Sequence, residues 1–338
     1  MALSVVAAAC GSTPSPAPVS IAPSSVAVVS PSVAVATPTE SPSGAASPTV
    51  APSPSPSPSA PAAAASLLGT DGRFTVLLLG SDFRPSSPGN RTDAIMVVSL
   101  DPATGQVGAF SVPRDTAGFP LPEGGTFTGK VNALYQWYQS RNGNGLASLE
   151  KAIAKAYGIE IDYGALTGFA GVRELVNAVG GVKVTLAKSY YDPAYWVNSH
   201  TQGWGLSAGE HKLNGATALI FARSRKGDND FNRARRQQQL VQAAATKLLA
   251  QGSDLLPKLL AIATRTTVTD LPLTRALDVY SLVATAKVAK AKMTVFGPTT
   301  FAKSAGGTSF TPNLGASRAW IKKNFPPANP GAVWPPKS

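Results

Sequence analysis

Residues 11–70 constrain this chain more than any other stretch, because they cannot join a packed structure. Thirteen of the 29 prolines lie in the first seventy residues, which hold no Lys or Arg and a single acid, Glu40. A run such as Pro52-Ser-Pro-Ser-Pro-Ser-Pro58 lacks the N–H groups for a strand ladder and has no apolar face to bury. The segment is expected to be an extended, semi-rigid tether. At about 3.1 Å per residue in polyproline II form it would reach on the order of 100 Å. Folding is therefore assigned to residues 71–325, read as one domain, with 326–338 as a Pro-rich tail.

Charge divides the same way. The chain carries 30 Lys and Arg against 18 Asp and Glu, a net +12, of which the first seventy residues contribute −1 and the remainder +13. The basic character belongs to the folded part. A hydrophobic content of 43% excludes a wholly disordered chain, and no apolar run approaches the ~20 residues of a membrane-spanning helix.

The only cysteine is Cys10, after Ala7-Ala-Ala and before Gly11, so neither an internal disulfide nor a multi-cysteine metal site can form. Residues 1–10 resemble a truncated signal ending in a bacterial lipobox, with Ala7 where Leu is usual. Cys10 is then a lipidation site that anchors the chain to the membrane surface; the alternative is an incidental residue of a trimmed secretory signal. Either reading exports the protein, placing it outside the cytoplasm, membrane-anchored or released to the cell wall.

The folded region opens with Phe74-Thr-Val-Leu-Leu-Leu-Gly80, a continuous apolar run suited to a buried strand. Residues 93–100 and 107–112 flank the turn signal Asp101-Pro-Ala-Thr-Gly105 and predict a hairpin. Helices are expected at 131–140, 146–156 and 168–178, the last stopped by Gly180-Gly181 before a strand at 182–186. Further helices are expected near 214–222, 231–250, 254–263, 274–287 and 314–324. This alternation predicts an α/β fold: a single three-layer αβα domain with a central mixed sheet flanked by helices.

The charged residues fall at the ends of those strands. Asp82 and Arg84 follow the first, Arg91 and Asp93 open the second, and Arg114 and Asp115 follow the third. Lys130 comes next, and residues 223–237 hold Arg223, Arg225, Arg233, Arg235, Arg236 and Gln237. Ligand sites of α/β sheets lie at strand ends. Forked guanidiniums suit phosphate oxygens, and paired Asp residues hold Mg²⁺ or a similar hard cation beside them. One Arg/Asp pair alone is best read as a surface salt bridge; the whole set at strand ends indicates a site for a pyrophosphate-bearing anion.

Several blocks carry a family resemblance: Leu78-Leu-Gly-Ser-Asp82-Phe-Arg84, Arg91-Thr-Asp93-Ala-Ile-Met, Ser111-Val-Pro-Arg114-Asp115, Lys130-Val-Asn132, Leu175-Val-Asn-Ala-Val-Gly-Gly181, Gly209-Glu-His-Lys-Leu-Asn-Gly, and Arg223-Ser-Arg225 through Asp230-Phe-Asn-Arg233-Ala-Arg-Arg236-Gln237. Together the chain resembles the LytR-CpsA-Psr (LCP) family of cell-wall glycopolymer transferases over about 73–250, extending toward 325. The resemblance implies transfer of a glycopolymer from a polyprenyl-pyrophosphate carrier to a sugar hydroxyl of peptidoglycan, as a phosphodiester, assisted by Mg²⁺ (or Mn²⁺), with pyrophosphatase activity on the side. It implies that Asp82 and Asp93 hold the metal and that Arg91 is catalytic. Arg84, Arg114, Lys130, Arg223, Arg225, Arg233 and Gln237 match pyrophosphate-binding positions. Asp115, Asp228 and Asp230 stay open between ligand contact and the orienting of neighbours.

Two rivals use the same cations. Nucleic acid as partner is excluded by export, although Tyr190-Tyr191 and Tyr195-Trp196 could stack bases. A noncatalytic module binding anionic wall polymer or polyprenyl phosphate remains the alternative, and the Asp82/Asp93 pair separates the two, since a pure anion binder gains nothing from it. His200 and His211 are read as non-ligands, and Ser81 as a turn hydrogen-bonding residue or an aid at the metal.

Overall fold

The computed structural model describes residues 66–82 and 90–333; residues 11–65 of the expected tether, Cys10 and Arg84 lie outside the described residues. The last five residues of that expected tether join the domain instead: Leu67 is buried beside Phe74 and Leu282, because Leu67-Leu68 supplies the apolar side chains that the Pro-Ser run lacks. In chain order these form β1 (Phe74–Ser81), β2 (Thr92–Asp101), β3 (Gln106–Ser111), β4 (Ala117–Pro120), β5 (Thr126–Lys130), α1 (Leu134–Asn142), α2 (Gly145–Tyr157), β6 (Tyr163–Thr167), α3 (Phe169–Ala178) and β7 (Val182–Leu186). Then come β8 (Tyr190–Trp196), β9 (Gln202–Leu206), β10 (Gly209–Leu213), α4 (Gly215–Arg223), α5 (Asp230–Gln251), α6 (Leu256–Thr266), β11 (Thr267–Thr269), α7 (Ala276–Val283), β12 (Lys292–Val295), β13 (Ala302–Ser304), β14 (Phe310–Pro312) and α8 (Leu314–Asn324).

Six strands form the central sheet in the order β11-β6-β1-β2-β3-β12. It is mixed: β2 runs antiparallel to β1 and β3, whereas β6 lies parallel to β1 and β12 parallel to β3. Period-two alternation sends Leu77 and Leu79 of β1 and Val97 of β2 into one core with Leu149, Ile153 and Tyr157 of α2 and Ile321 of α8. Phe74 and Leu100 face the other side, against Leu282 of α7. Each fully buried Leu contributes about 2 kcal/mol of transfer free energy, which fixes the β1–β2 register and so the position of their ends. A third core joins α3, β7, β10, α4 and α5 around Phe221.

The predicted hairpin is present, with Asp101 accepting from the Ala103 and Thr104 amides and Gly105 at φ +72°. Gly108 within β3 admits the Phe325 ring after α8, since a Cβ there would stand 1.5 Å from a ring carbon. The helices fall close to their expected ranges, except that 274–287 yields only α7 and a preceding 3₁₀ turn, with Lys287 tied to the Gly105 carbonyl instead. The sequence reading missed β6, although it sits beside β1; Gly164 interrupts its five residues and leaves no alternation to read. The hairpins β4–β5, β8–β9 and β13–β14, and strands β10, β11 and β12, were also missed, since none carries a continuous apolar run. Residues 326–331 lie against the start of the domain: the Ala328 and Gly331 amides donate to Asp71 and Thr70, and Arg73 reaches the Pro326 carbonyl.

Glu150 of α2 is buried, with one carboxyl oxygen lacking a hydrogen-bond donor. Burial, and then the charge of Asp270, push its carboxyl up to about 7. The folded state thus keeps a proton that the unfolded chain gives up near pH ~4.3. Stability is expected to fall as pH rises from about 4.5 through 7, and Glu150→Gln to make that fall shallower. Thermal midpoints across this range check it; parallel curves would contradict it.

Candidate active site

The site follows from strand order. Because β1 and β2 are antiparallel, the last residues of β1 lie beside the first of β2, with Ser81 opposite Thr92 after an irregularity at Gly80. The backbone of Asp82 donates to the Arg91 carbonyl at 3.1 Å, and an Asp82 carboxylate oxygen accepts the Arg91 amide at 3.0 Å. The Ser81 hydroxyl donates to Asn90, as a turn residue should. β3 returns antiparallel to β2 and delivers Arg114 and Asp115 to the same edge.

Asp93 is the meeting point. One of its oxygens takes Nη1 of Arg114 at 2.6 Å, the other takes the Asn132 amide at 3.0 Å, and its backbone carbonyl takes Nη2 of Arg233 at 3.2 Å. Lys130, ending β5, reaches Asp115 at 2.7 Å and Thr308 at 2.8 Å. The first turn of α5, capped by Asn229, presents Asp230, which holds Arg233 at 2.8 Å and lies 3.5 Å from Nε of Arg114. Lys130, Asp115, Arg114, Asp93, Asp230 and Arg233 thus join carboxylates and cations in one network.

Its electrostatics treat the two buried guanidiniums differently. Burial lowers the Arg233 pKa, and Asp230 opposes this without reversing it. Arg114 is pulled down by burial, but Asp93, Asp230 and Asp115 more than reverse that. Burial raises Asp230 despite Arg233 and Arg114. The buried Nε–H groups of Arg114 and Arg233 have no hydrogen-bond partner, a cost that an anionic ligand would relieve. A cavity of about 310 Å³ opens on this network, lined by Arg91, Arg114, Asp115, Lys130, Asn132 and Ala133.

Asp82, Arg91, Asp93, Arg114, Lys130 and Arg233 therefore converge. Arg223 stands in a different setting, its guanidinium 4.2 Å from the Phe169 ring and 3.2 Å from the Tyr195 hydroxyl. Arg225 is exposed, and Gln237 donates to the Ala222 carbonyl at 3.1 Å. Arg236 is buried, bridging Phe221, Ser224 and Asp228. His200 is exposed and His211 contacts the Ser207 carbonyl.

Sequence reasoning left Asp230 undecided and passed over Asp192. Asp192, 1% exposed, accepts from the Ser224 hydroxyl and from the Arg225 and Lys226 amides at 2.8–2.9 Å, so it shapes the loop that carries Arg225. A single acid within a Tyr-rich strand was the available signal. Asp192→Asn is expected to raise hydrogen exchange at the Arg225 and Lys226 amides at least tenfold, since charge-assisted bonds of about 1.5–3 kcal/mol are weakened. Unchanged exchange would mean the loop is held otherwise.

As a metal site the edge offers two carboxylates, Asp82 and Asp93, and among the described residues no group of three or more His, Cys, Asp or Glu that could hold an ion. That set does not suit zinc. It suits Mg²⁺, which takes one or two carboxylates and completes its shell with phosphate oxygens and water.

Comparison with known proteins follows the same lines. The LytR_cpsA_psr family profile matches residues 41–309. The chain belongs to the LytR_cpsA_psr family. It is 32% identical over 175 residues to the polyisoprenyl-teichoic acid–peptidoglycan teichoic acid transferase TagU of Bacillus mycoides (strain KBAB4), covering 51% of this chain and 52% of that protein. It is 31% identical over 182 residues to the regulatory protein MsrR of Staphylococcus aureus (strain COL), covering 53% and 50%. The chain thus spans about half the length of these curated relatives. Among solved structures of the family fold, B. subtilis TagV superposes with a TM-score of 0.57 at 25% identity, over 75% of this chain and 97% of that one. TagT bound to LIIa-WTA gives 0.59 at 23%, over 77% and 95%. The mixed α/β fold is that of these family members, and among the described residues no helix is long and apolar enough to cross a membrane.

Proposed function

We propose that this protein is a phosphotransferase that moves a cell-wall glycopolymer from a polyprenyl-pyrophosphate carrier to a sugar hydroxyl of peptidoglycan. The observation that carries the reading is the network in which Asp93, Asp115 and Asp230 hold Arg114, Lys130 and Arg233 at the sheet edge where Asp82 and Arg91 also lie, beside a cavity lined by Arg91, Arg114, Asp115 and Lys130. Family membership and the activity for which TagU is named support it.

The reaction is attack of the acceptor hydroxyl oxygen on the polymer-proximal phosphorus. The P–O bond to the bridging oxygen breaks, polyprenyl phosphate departs with the electron pair, and the hydroxyl proton is released. A polymer–phosphate–sugar diester results. Arg114, Lys130 and Arg233 would bind the pyrophosphate oxygens, and their ion pairs with Asp93, Asp115 and Asp230 hold them in place before substrate arrives, so little reorganisation is needed in the transition state. Arg91, on the cavity wall, would stabilise charge on the phosphorus under attack. Arg84, Arg223, Arg225 and Gln237 are assigned to the donor beyond these contacts. Asp82 and Asp93 would hold Mg²⁺ or Mn²⁺, which neutralises phosphate charge. Water in place of the sugar gives hydrolysis. The tether and Cys10 would carry the domain from the membrane surface toward the wall, outside the cytoplasm.

A noncatalytic binder would use the same arginines, and one experiment separates the two. Donor and polymer-free wall are incubated with the protein, and polymer that stays bound to the wall after denaturing washes is measured. The expected result is covalent polymer that disappears with EDTA and returns with Mg²⁺. Binding without covalent transfer would leave only the binding module.

A further inference from the structure

A second cavity, of about 430 Å³, adjoins the charged one and shares Arg91 and Ala133 with it. Its floor is α1. That helix buries Leu134, Tyr135 and Tyr138 and turns the stripe Ala133, Gln136, Trp137, Ser140 and Arg141 toward the groove, the i, i+3, i+4, i+7, i+8 spacing of one helix face. On a buried face those positions would be aliphatic. Here they are an amide, an indole, a hydroxyl and a guanidinium.

The groove is built rather than incidental. The Arg141 guanidinium lies 4.2 Å from the Trp137 ring centroid, a stacking that holds both side chains in place and lowers the cost of ordering them on a ligand. Phe127 packs edge-on to the same indole at 5.5 Å. The Gln136 amide and Ser140 hydroxyl are joined at 3.0 Å. Among the described residues neither Arg91 nor Arg141 has a carboxylate within ion-pair distance. Arg91, Ser140 and Arg141 are exposed, so the groove is open, as a strand that cannot thread into a closed pocket requires.

We infer that this groove binds the acceptor glycan: an indole surface for the C–H faces of a pyranose ring, an amide and a hydroxyl for its polar substituents, and Arg141 for a carboxylate that the strand carries. The inference rests on the transferase reading and names the second substrate of that site. A chain lying along α1 would offer a hydroxyl at Arg91, where the groove meets the phosphate cavity. The groove sets its two guanidiniums at Arg91 and Arg141 apart from each other along an indole and amide surface, whereas the phosphate cavity gathers Arg91, Arg114 and Lys130, which is why it suits a sugar strand with a carboxylate rather than a pyrophosphate.

The test is calorimetric titration of the full chain with Mg²⁺ and without donor. The probes are a polymer-free peptidoglycan disaccharide bearing its acidic stem peptide, a neutral chitin oligosaccharide, and N-acetylglucosamine 1-phosphate as a mimic of a donor sugar. Saturable binding of the peptidoglycan fragment is expected. Arg141→Ala should weaken it at least tenfold, to the level of the neutral oligosaccharide. Trp137→Ala should weaken both at least tenfold, with Trp137→Phe recovering most of the loss. Absence of saturable binding, wild-type affinity in Arg141→Ala and Trp137→Ala, or Trp137-dependent binding of the sugar phosphate in preference to the fragment would overturn the inference. Failure of the transferase reading shows elsewhere, as absence of covalent transfer to the wall.

Discussion

Asp93→Asn is expected to reduce donor turnover by about three orders of magnitude and to leave the fold intact. Asn keeps the volume but removes the charge, and Asp93 uses that charge twice. It holds Arg114 at 2.6 Å, and with Asp82 it would hold the divalent cation. Loss of one preorganised electrostatic contact costs about 10²–10³ in rate, and this change unseats a guanidinium as well. Asp93 is 27% exposed and Arg114 keeps Asp115 and Asp230 at 3.5–3.6 Å, so destabilisation should be modest. Asp82→Asn should behave similarly, with its Mg²⁺ requirement shifted to higher concentration. Steady-state release of phosphate from a geranyl or polyprenyl pyrophosphate, with thermal midpoints as a control, measures both. Turnover within about threefold of the wild type in both variants would remove the carboxylates from the chemistry.

Arg91→Lys is expected to lower kcat/KM on the order of a hundredfold. Arg91 is exposed, has no carboxylate partner among the described residues, and lines both cavities. Its position is set by backbone bonds to Asp82 rather than by its side chain. The substitution therefore changes the fork and little else. A lysine keeps the charge as a compact point and cannot bond two oxygens of one phosphate in a plane. Wild-type turnover would mean that Arg91 supplies bulk charge alone, and would assign phosphate recognition to Arg114 and Arg233.

What could be read from the sequence was whatever local pattern controls. The apolar runs of β1 and β2 and the helix periodicities located most of the core; the short turn at 102–105 makes β2 and β3 a hairpin, and the position of Asp82, Arg91, Asp93 and Arg114 at strand ends pointed to one edge. Strand β6 was not legible, because its five residues Tyr163–Thr167 are selected by packing against β1 and α2 rather than by their own pattern. The same holds in the site. Arg233 could be foreseen as a ligand candidate, but its dependence on Asp230, and the dependence of the Arg225 loop on Asp192, are long-range contacts that spacing does not encode. Arginines 223, 225, 233 and 236 read alike in sequence, yet burial separates their roles. Arg236 is committed to backbone carbonyls and Asp228, while Arg233 joins the network beside the phosphate cavity.

The central claim is that phosphorus, and not merely sugar, changes hands. A donor labelled with ³²P at the polymer-proximal phosphorus, given to the protein with Mg²⁺ and polymer-free wall, tests it directly. The expected result is label covalently on the wall glycan, with unlabelled polyprenyl phosphate released in equal amount. Label that stays wholly with the lipid, or a wall that gains no label at all, would contradict the account.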